Sequence, residues 1–328
     1  MQAVILAGGL GTRLRPITFT RPKPLIPILN RPLIDVVIEM LPLEVDEVFI
    51  ATGYMGDRLR AHFGSRRKGP RVEVVIEASP LGTCGALKNI ESRIKGTFVV
   101  LNGDVVCSLD VTKMLAFHRK SGGVGTIALW DVEDPTAFGM VVLDKKSRIR
   151  EFKEKPRKED VVSHSVNAGT YILEPGILSM MEPGRETSIE TQVFPRVLKK
   201  GLHGFGFRGY WYDAGTLDNV LAIHQGLMSG VKKGKDFGRG KDVALNGPVL
   251  IGDGASAGDH TRLGPSTCIG NDVRIGAGCR LKDCVLHDRV RVGKGASIEH
   301  CIIGEDAEID DGVKLRNRII GDRERVLG

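Results

Sequence analysis

The chain has 328 residues, enough for two domains with hydrophobic cores of ordinary size. Hydrophobic residues at 41% and charged residues at 27% exclude a disordered or fibrous chain, and no stretch of 18 uncharged apolar residues offers a membrane span. A net charge of +7 asks for an anionic partner, but aromatics at 5% give no stacking platform for single strands, so small phosphorylated ligands are favoured over nucleic acid.

A first strand is predicted at residues 3–6, "AVIL", followed by "AGGLGTRLRPITFTRPKPLIPI" at 7–28. A dinucleotide fingerprint would need glycine where Leu14 stands, and prolines 16, 22, 24 and 27 forbid the helix that must follow it. A P-loop would need a lysine before Lys23. What remains is an extended loop. Gly8, Gly9 and Gly11 let backbone N–H groups approach a polyphosphate, Arg13 and Arg15 offer guanidinium forks, and Lys23 is confined to extended backbone by Pro22 and Pro24.

Helices are predicted at 32–41, 56–63 and 85–94, between strands at 47–52, 72–77 and 98–102. That alternation is the pattern of a parallel sheet covered by helices. Strands at 126–132, 140–144, 149–155 and 168–173 follow one another closely, so this part of the sheet is expected to be mixed or antiparallel. Helices near 188–200 and 216–229 close the domain. Asp104 lies just beyond the strand "FVVLN", at the carboxyl edge of the sheet where ligands bind in open α/β folds.

After Gly230 the composition changes. A basic stretch leads into a period of six, with an apolar residue before glycine at 251, 257, 263, 269 and 275, returning at 292, 303 and 320 after five-residue steps. This is the signature of a parallel β-helix of about four coils, and so short a solenoid calls for a cap or a neighbour, hence a homo-oligomer through this region. The expected domains are 1–230, a basic linker at 231–242, and a β-helix at 243–328. Six cysteines show no CxxC pair and no zinc-type spacing with the eight histidines, so buried free thiols and a cytoplasmic location are expected. His118 and His164 read as core or surface residues.

The stretch "GGLGTRLRPITFTRPKPLIPI" (8–28) resembles the signature loop of the sugar-1-phosphate nucleotidyltransferases, the NDP-sugar pyrophosphorylases. "PLGTCGAL", "VVLNGDVVCSLD", "FKEKP", "VNAGTYIL", "SIETQVFP" and "GYWYDAGTLDNVL", in order along the chain, resemble the GDP-mannose branch of that family. The resemblance implies an α/β, Rossmann-like nucleotidyltransferase domain with a mixed, mainly parallel sheet, followed by a left-handed parallel β-helix. It implies attack of a sugar 1-phosphate on the α-phosphorus of a nucleoside triphosphate, giving NDP-sugar and pyrophosphate.

By that resemblance Leu6, Ala7, Gly8, Gly9, Gly11, Thr12, Arg13, Glu77, Gly82, Thr83 and Gly103 frame the nucleotide. Asp104 and Asp213 hold Mg²⁺, Arg15 and Lys23 address the triphosphate, and Lys155 holds the sugar phosphate. Gly139, Glu154, Asn167 and Gly169 meet the sugar. Guanine presents two adjacent donors that the Glu77 carboxylate can accept together, which favours GTP over UTP or dTTP. Mannose over glucose follows from branch similarity alone.

Three other readings stand beside it. A uridylyl, thymidylyl or broad-specificity glucose enzyme would share the machinery. A non-catalytic NDP-sugar-binding subunit would be expected to have lost part of it, but Arg15, Lys23, Asp104 and Asp213 are all present. An acyltransferase β-helix would use a histidine such as His260, His287 or His300, but no long acyl-carrier-binding loop interrupts the repeat.

Overall fold

The strand Gln2–Leu6 is almost wholly buried, and a strand of that kind needs a partner on each edge and a layer on each face. In the computed structural model, which describes residues 1–64, 68–228 and 237–328, its edges are paired in parallel with Glu47–Thr52 and Phe98–Asn102. Arg71–Ile76 extends the parallel part beyond Glu47–Thr52. On the other side Ser165–Leu173 runs antiparallel to Phe98–Asn102 and leads to Gly139–Leu143 and Ile149–Glu154, giving a nine-stranded sheet with Gly125–Asp131 and Leu202–Gly206 as a branch. The mixed, mainly parallel sheet is the one expected, with the antiparallel pairs where the strands crowd together in sequence.

Contacts divide the chain into two units, Met1–Gly9 with Val37–Trp211, and Leu10–Val36 with Tyr212–Gly328. The core of the first unit gathers Val4, Phe49, Phe98, Ile127, Tyr171 and Phe194, all essentially inaccessible to solvent. One long helix was expected near 188–200. The chain instead makes Ile189–Gln192 and Phe194–Val197 and a 3-10 turn at Leu198–Lys200. Pro195 has no N–H to donate to the preceding turn, which breaks the helix there. Among the described residues no helix is long and apolar enough to cross a membrane.

In the second unit every apolar-glycine step places an aliphatic side chain inside a solenoid of parallel strands, with Leu263, Ile269, Leu281, Ile298 and Ile303 in its core. One ladder has six rungs, Gly238–Arg239, Ser256–Ala257, Arg274–Ile275, Arg291–Val292, Glu308–Ile309 and Arg325–Val326. Residues 238, 256 and 274 face one another in steps of eighteen, whereas 274, 291, 308 and 325 do so in steps of seventeen. The five-residue interruptions therefore shorten a turn by one residue without breaking the stack, and the ladder holds more rungs than the four coils expected because its first, Gly238–Arg239, lies within the stretch expected to be linker. Much of the basic linker expected at 231–242 lies outside the described residues, as does Ser229 at the end of the last predicted helix. That helix is observed as Leu217–Met228 and lies on the solenoid through Asp218 with His300 and Gln225 with Asp283.

The opening segment is not extended. Thr12–Leu14, Ile17–Phe19 and Lys23–Leu25 each close a 3-10 turn. Prolines forbid a regular helix but not a single turn, because Pro24 occupies an early position whose N–H has no partner in any helix. Lys23 therefore starts a turn, with its carbonyl accepting from the Ile26 N–H at 3.0 Å, and the expectation of extended backbone there is corrected. All six cysteines are free and buried. His118 is a core residue bonded to Thr126 and Glu174, and His164 is exposed.

Candidate active site

In the first unit the carboxyl ends of Gln2–Leu6 and Phe98–Asn102 open into a cavity of about 340 Å³. Leu6, Gly8, Gly9, Glu77, Gly82, Thr83 and Asp104 all line it, so the fold brings together seven residues that the sequence scatters over a hundred positions. Asn102 and Glu186 also line it and were not anticipated. Gly103 and Ala7 stand behind the wall: the Gly103 N–H donates to the Leu6 carbonyl at 2.8 Å, and a Cβ on Gly103 would come within 3.3 Å of the Ala7 side chain. Gly82 has φ +65°, and a Cβ there would overlap the Thr187 carbonyl oxygen, so the turn into the helix Gly82–Ile90 needs glycine.

Glu77 continues the parallel pairing of its strand, with its N–H on the Thr52 carbonyl at 2.8 Å, and is 9% exposed. Burial pushes its carboxyl pKa up, opposed by the hydrogen bond from the Leu81 backbone N–H. A half-desolvated carboxylate in a cavity wall seeks donors, which a nucleobase edge can supply.

A second group of residues lies along Ser165–Leu173 and Ile149–Glu154 of the same unit. The Glu154 carboxylate would be 2.8 Å from a Cβ on Gly139, so these two share one spot on adjacent strands. Burial, and then the charge of Glu190, raise the Glu154 pKa. Lys155, next along, has φ +46°, a left-handed conformation that costs a lysine roughly 1–2 kcal/mol. Its N–H is nevertheless fixed on the Phe138 carbonyl at 2.9 Å. Asn167 Oδ1 accepts from the Gly169 N–H at 2.9 Å, while Nδ2 donates to the Tyr171 hydroxyl at 2.9 Å.

Tyr171 donates in turn to Glu190, 3.0 Å away, and Glu190 also receives Thr83 and Ser188. This chain of hydrogen bonds links Thr83 in the cavity wall to Asn167. Asn102, in the same wall, would lie 2.5 Å from a Cβ on Gly169, whose φ of +74° lets the strand pass close. Cavity wall and second group are therefore joined through the interior of the first unit. Tyr171 and Glu190 were not singled out from the sequence. The available signal was their place inside two of the quoted stretches, but a tyrosine in an apolar run reads first as core.

The second unit holds the remaining residues. Lys23 is 7% exposed, with Nζ 3.5 Å from Asp213 Oδ1. The Arg13 guanidinium lies over Gly215, where a Cβ would come 2.7 Å from Nη2 and 3.0 Å from Asp213 Oδ1. Arg13, Lys23 and Asp213 thus converge. Gly11, at φ +61°, lies against Thr18 and Lys23 and accepts the Thr18 hydroxyl on its carbonyl at 2.9 Å. Thr12 is exposed at the start of its turn. Arg15 is exposed too and stacks its guanidinium 5.0 Å from the centre of the Phe19 ring. Arg21, the fourth cation of the segment, points to Glu305 and Asp322.

The three histidines of the solenoid lie in different surroundings, and neither ring nitrogen of His287 has a hydrogen-bond partner among the described residues. His260 is exposed beside Asp242, His287 is fully buried, and His300 bridges Asp218 and Asp283.

Comparison with known proteins places this geometry. The nucleotidyl transferase family profile matches residues 2–230, and that of the GMPPB C-terminal domain matches 245–327. A mannose-1-phosphate guanylyltransferase of Mycobacterium tuberculosis is 35% identical over 294 residues, covering 88% of this chain and 80% of that protein. A mannose-1-phosphate guanyltransferase of Schizosaccharomyces pombe is 38% identical, covering 72% of this chain and 66% of its own length. The chain thus spans just under two thirds of the yeast protein. Among solved structures, HddC from Yersinia pseudotuberculosis complexed with GMP-PN has a TM-score of 0.57 at 28% identity, covering 68% of this chain and 97% of that one. A Bacillus anthracis chain described as a glucose-1-phosphate thymidylyltransferase, in complex with sucrose, reaches 0.63 at 28% identity over 72% and 98%. With a glycine-walled cavity at the sheet edge, a converging Arg13–Lys23–Asp213 group and a family match over most of its length, the chain belongs to the nucleotidyl transferase family.

Proposed function

We propose that the protein transfers the guanylyl group of GTP to mannose 1-phosphate, releasing pyrophosphate and forming GDP-mannose. The observation that carries this is the wall of the cavity, where Gly8, Gly9, Glu77, Gly82, Thr83 and Asp104 meet. The names of the M. tuberculosis and S. pombe relatives support the choice of substrates. Glu77 accepts the N1–H and N2–H₂ of guanine together, a pattern that uracil and thymine, with one donor between two acceptors, cannot offer.

The chemistry asks for charge placement more than covalent help, because two anions must meet and negative charge builds on the α-phosphate and on the departing pyrophosphate. Arg13, Arg15 and Lys23 bind phosphate oxygens and hold the triphosphate for in-line attack. Lys155 holds the sugar phosphate, and its left-handed backbone directs it where an ordinary strand residue would not reach. Glu154, Gly139 and the Asn167–Gly169 segment bind the sugar hydroxyls, braced by Tyr171 and Glu190. No general base is required, since the attacking phosphate is already ionised.

Asp104 and Asp213 supply hard oxygen donors of the type that suits Mg²⁺. Phosphate and water would complete the shell of an ion held by these two carboxylates. Bound Mg²⁺ would neutralise charge on the phosphates. A short solenoid, whose coils contact only their neighbours, supports a second role of the β-helix as an assembly surface, and the buried free thiols suit a reducing compartment.

The test is pyrophosphate release with GTP, UTP, dTTP and ATP, each against mannose 1-phosphate and glucose 1-phosphate. A preference for GTP with mannose 1-phosphate is expected. Preference for dTTP or UTP with glucose 1-phosphate overturns Glu77 as guanine reader, and absence of release with every pair overturns the enzymatic reading.

A further inference from the structure

Arg21 differs from the other cations of the opening segment. Its side chain is only 13% exposed, and its Nη2 lies 2.7 Å from Glu305 Oε2 and 2.8 Å from Asp322 Oδ2, with Nε 3.2 Å from the same Asp322 oxygen. The Thr20 hydroxyl donates to that oxygen as well. Asp322 is itself held by the Glu305 N–H on its other oxygen at 2.8 Å, and Glu305 by Arg289. Every partner belongs to the last coils of the solenoid. Pro16 also touches this end, since a Cβ on Gly321 would come 3.2 Å from its ring. Further along, Asn30 donates to the Ile269 carbonyl at 2.8 Å and accepts from the Cys268 thiol at 3.2 Å.

The segment is thus tied to the solenoid on both sides of Lys23, at Thr20–Arg21 and at Asn30. Between the ties, Pro22 and Pro24 restrict the backbone, and two hydrogen bonds, Leu25 N–H to the Pro22 carbonyl and Ile26 N–H to the Lys23 carbonyl, close the turn that carries Lys23. A displacement of Arg21 is therefore passed to Lys23 instead of being absorbed. Exposed ion pairs rarely do such work, but this one is a shielded fork shared by two carboxylates. With Nε and Nη2 both on carboxylates, Arg21 is engaged as an anchor to the solenoid.

We propose that the last coils of the β-helix position the triphosphate-binding segment, with Arg21, Glu305 and Asp322 as positioning residues that act through Lys23. This rests on Lys23 as a triphosphate ligand, and it gives the solenoid a part in turnover beyond assembly. The test uses the full chain with Asp322→Asn and Arg21→Lys. Steady-state kinetics are read together with hydrogen exchange over residues 11–26, thermal denaturation and solution mass.

Asp322→Asn is expected to lose roughly tenfold or more in kcat/KM for GTP, because a displacement of about 1 Å is enough for such a loss. KM for the sugar phosphate and the mass should be unchanged, and exchange should accelerate within 11–26 only. Arg21→Lys, which keeps the charge and loses the fork, should fall between the two, and it alone carries the test if Asp322→Asn does not fold. Parent-like kinetics with parent-like exchange overturn the proposal, as does exchange accelerated evenly across the solenoid. If the parent protein turns over no substrate, the enzymatic reading fails while the exchange pattern still decides the clamp.

Discussion

Gly9→Ala separates what the fold needs from what a ligand needs. A Cβ on Gly9 would meet nothing within 4 Å, and its backbone is not in the left-handed region. The folded protein should accept alanine, gaining at most about 0.4–1 kcal/mol from a less flexible unfolded chain. At roughly 2–4 °C per kcal/mol for a unit of this size, Tm should move by no more than about 4 °C, and upward. The open space matters only when a phosphate lies against the backbone. A methyl group intruding there costs on the order of 1–3 kcal/mol, as in any overfilled site. At 1.4 kcal/mol per decade that weakens GTP binding by about 5- to 150-fold. Scanning calorimetry and isothermal titration with GTP and excess Mg²⁺ measure both quantities. Gly82→Ala is the contrast, since its φ of +65° and its overlap with Thr187 should lower stability and affinity together. A Gly9→Ala protein with parent-like affinity, or one destabilised by more than about 1 kcal/mol, refutes the reasoning.

Asp104→Asn and Asp213→Asn should each lower kcat by roughly a hundredfold or more, with circular dichroism unchanged, because each removes negative charge from the proposed metal site and nothing from a core. Lys155→Gly should lose sugar-phosphate turnover with Tm within a few degrees of the parent, since relief of the left-handed backbone offsets the entropy of glycine; a large drop in Tm would make Lys155 a structural residue. Glu77→Gln should move preference from GTP toward UTP or dTTP in a competition assay. Because burial raises the Glu77 pKa, its contribution to stability is complete below the ordinary glutamate value near 4.5 and lost as pH rises through the raised one, so the ligand-free Gln variant should lack that loss in pH-dependent denaturation. At His300 burial opposes the charged form, but the hydrogen bonds to Asp218 and Asp283 prevail and raise its pKa. That contribution is present below about 6.5 and fades as pH rises through the raised value, and an alkaline loss of stability unchanged in His300→Ala would show that the bridge carries no charge.

Periodicity alone determined the two architectures. Alternating strand and helix runs dictate a covered parallel sheet because each element must bury its apolar face, and an aliphatic residue every six positions dictates a stacked solenoid for the same reason. Glycines, prolines and cations in one short stretch were enough to mark a candidate phosphate-binding segment, since local chain chemistry acts over a few residues. Only the folded chain shows what that stretch looks like: the Leu25 and Ile26 N–H groups close a 3-10 turn at Lys23, and Arg21 is held by Glu305 and Asp322, nearly three hundred residues away. Likewise Tyr171 and Glu190 become a brace between Thr83 and Asn167 only when their strands and helix meet. Hydrogen bonds between distant residues leave no period in a sequence, so only the folded chain assigns them.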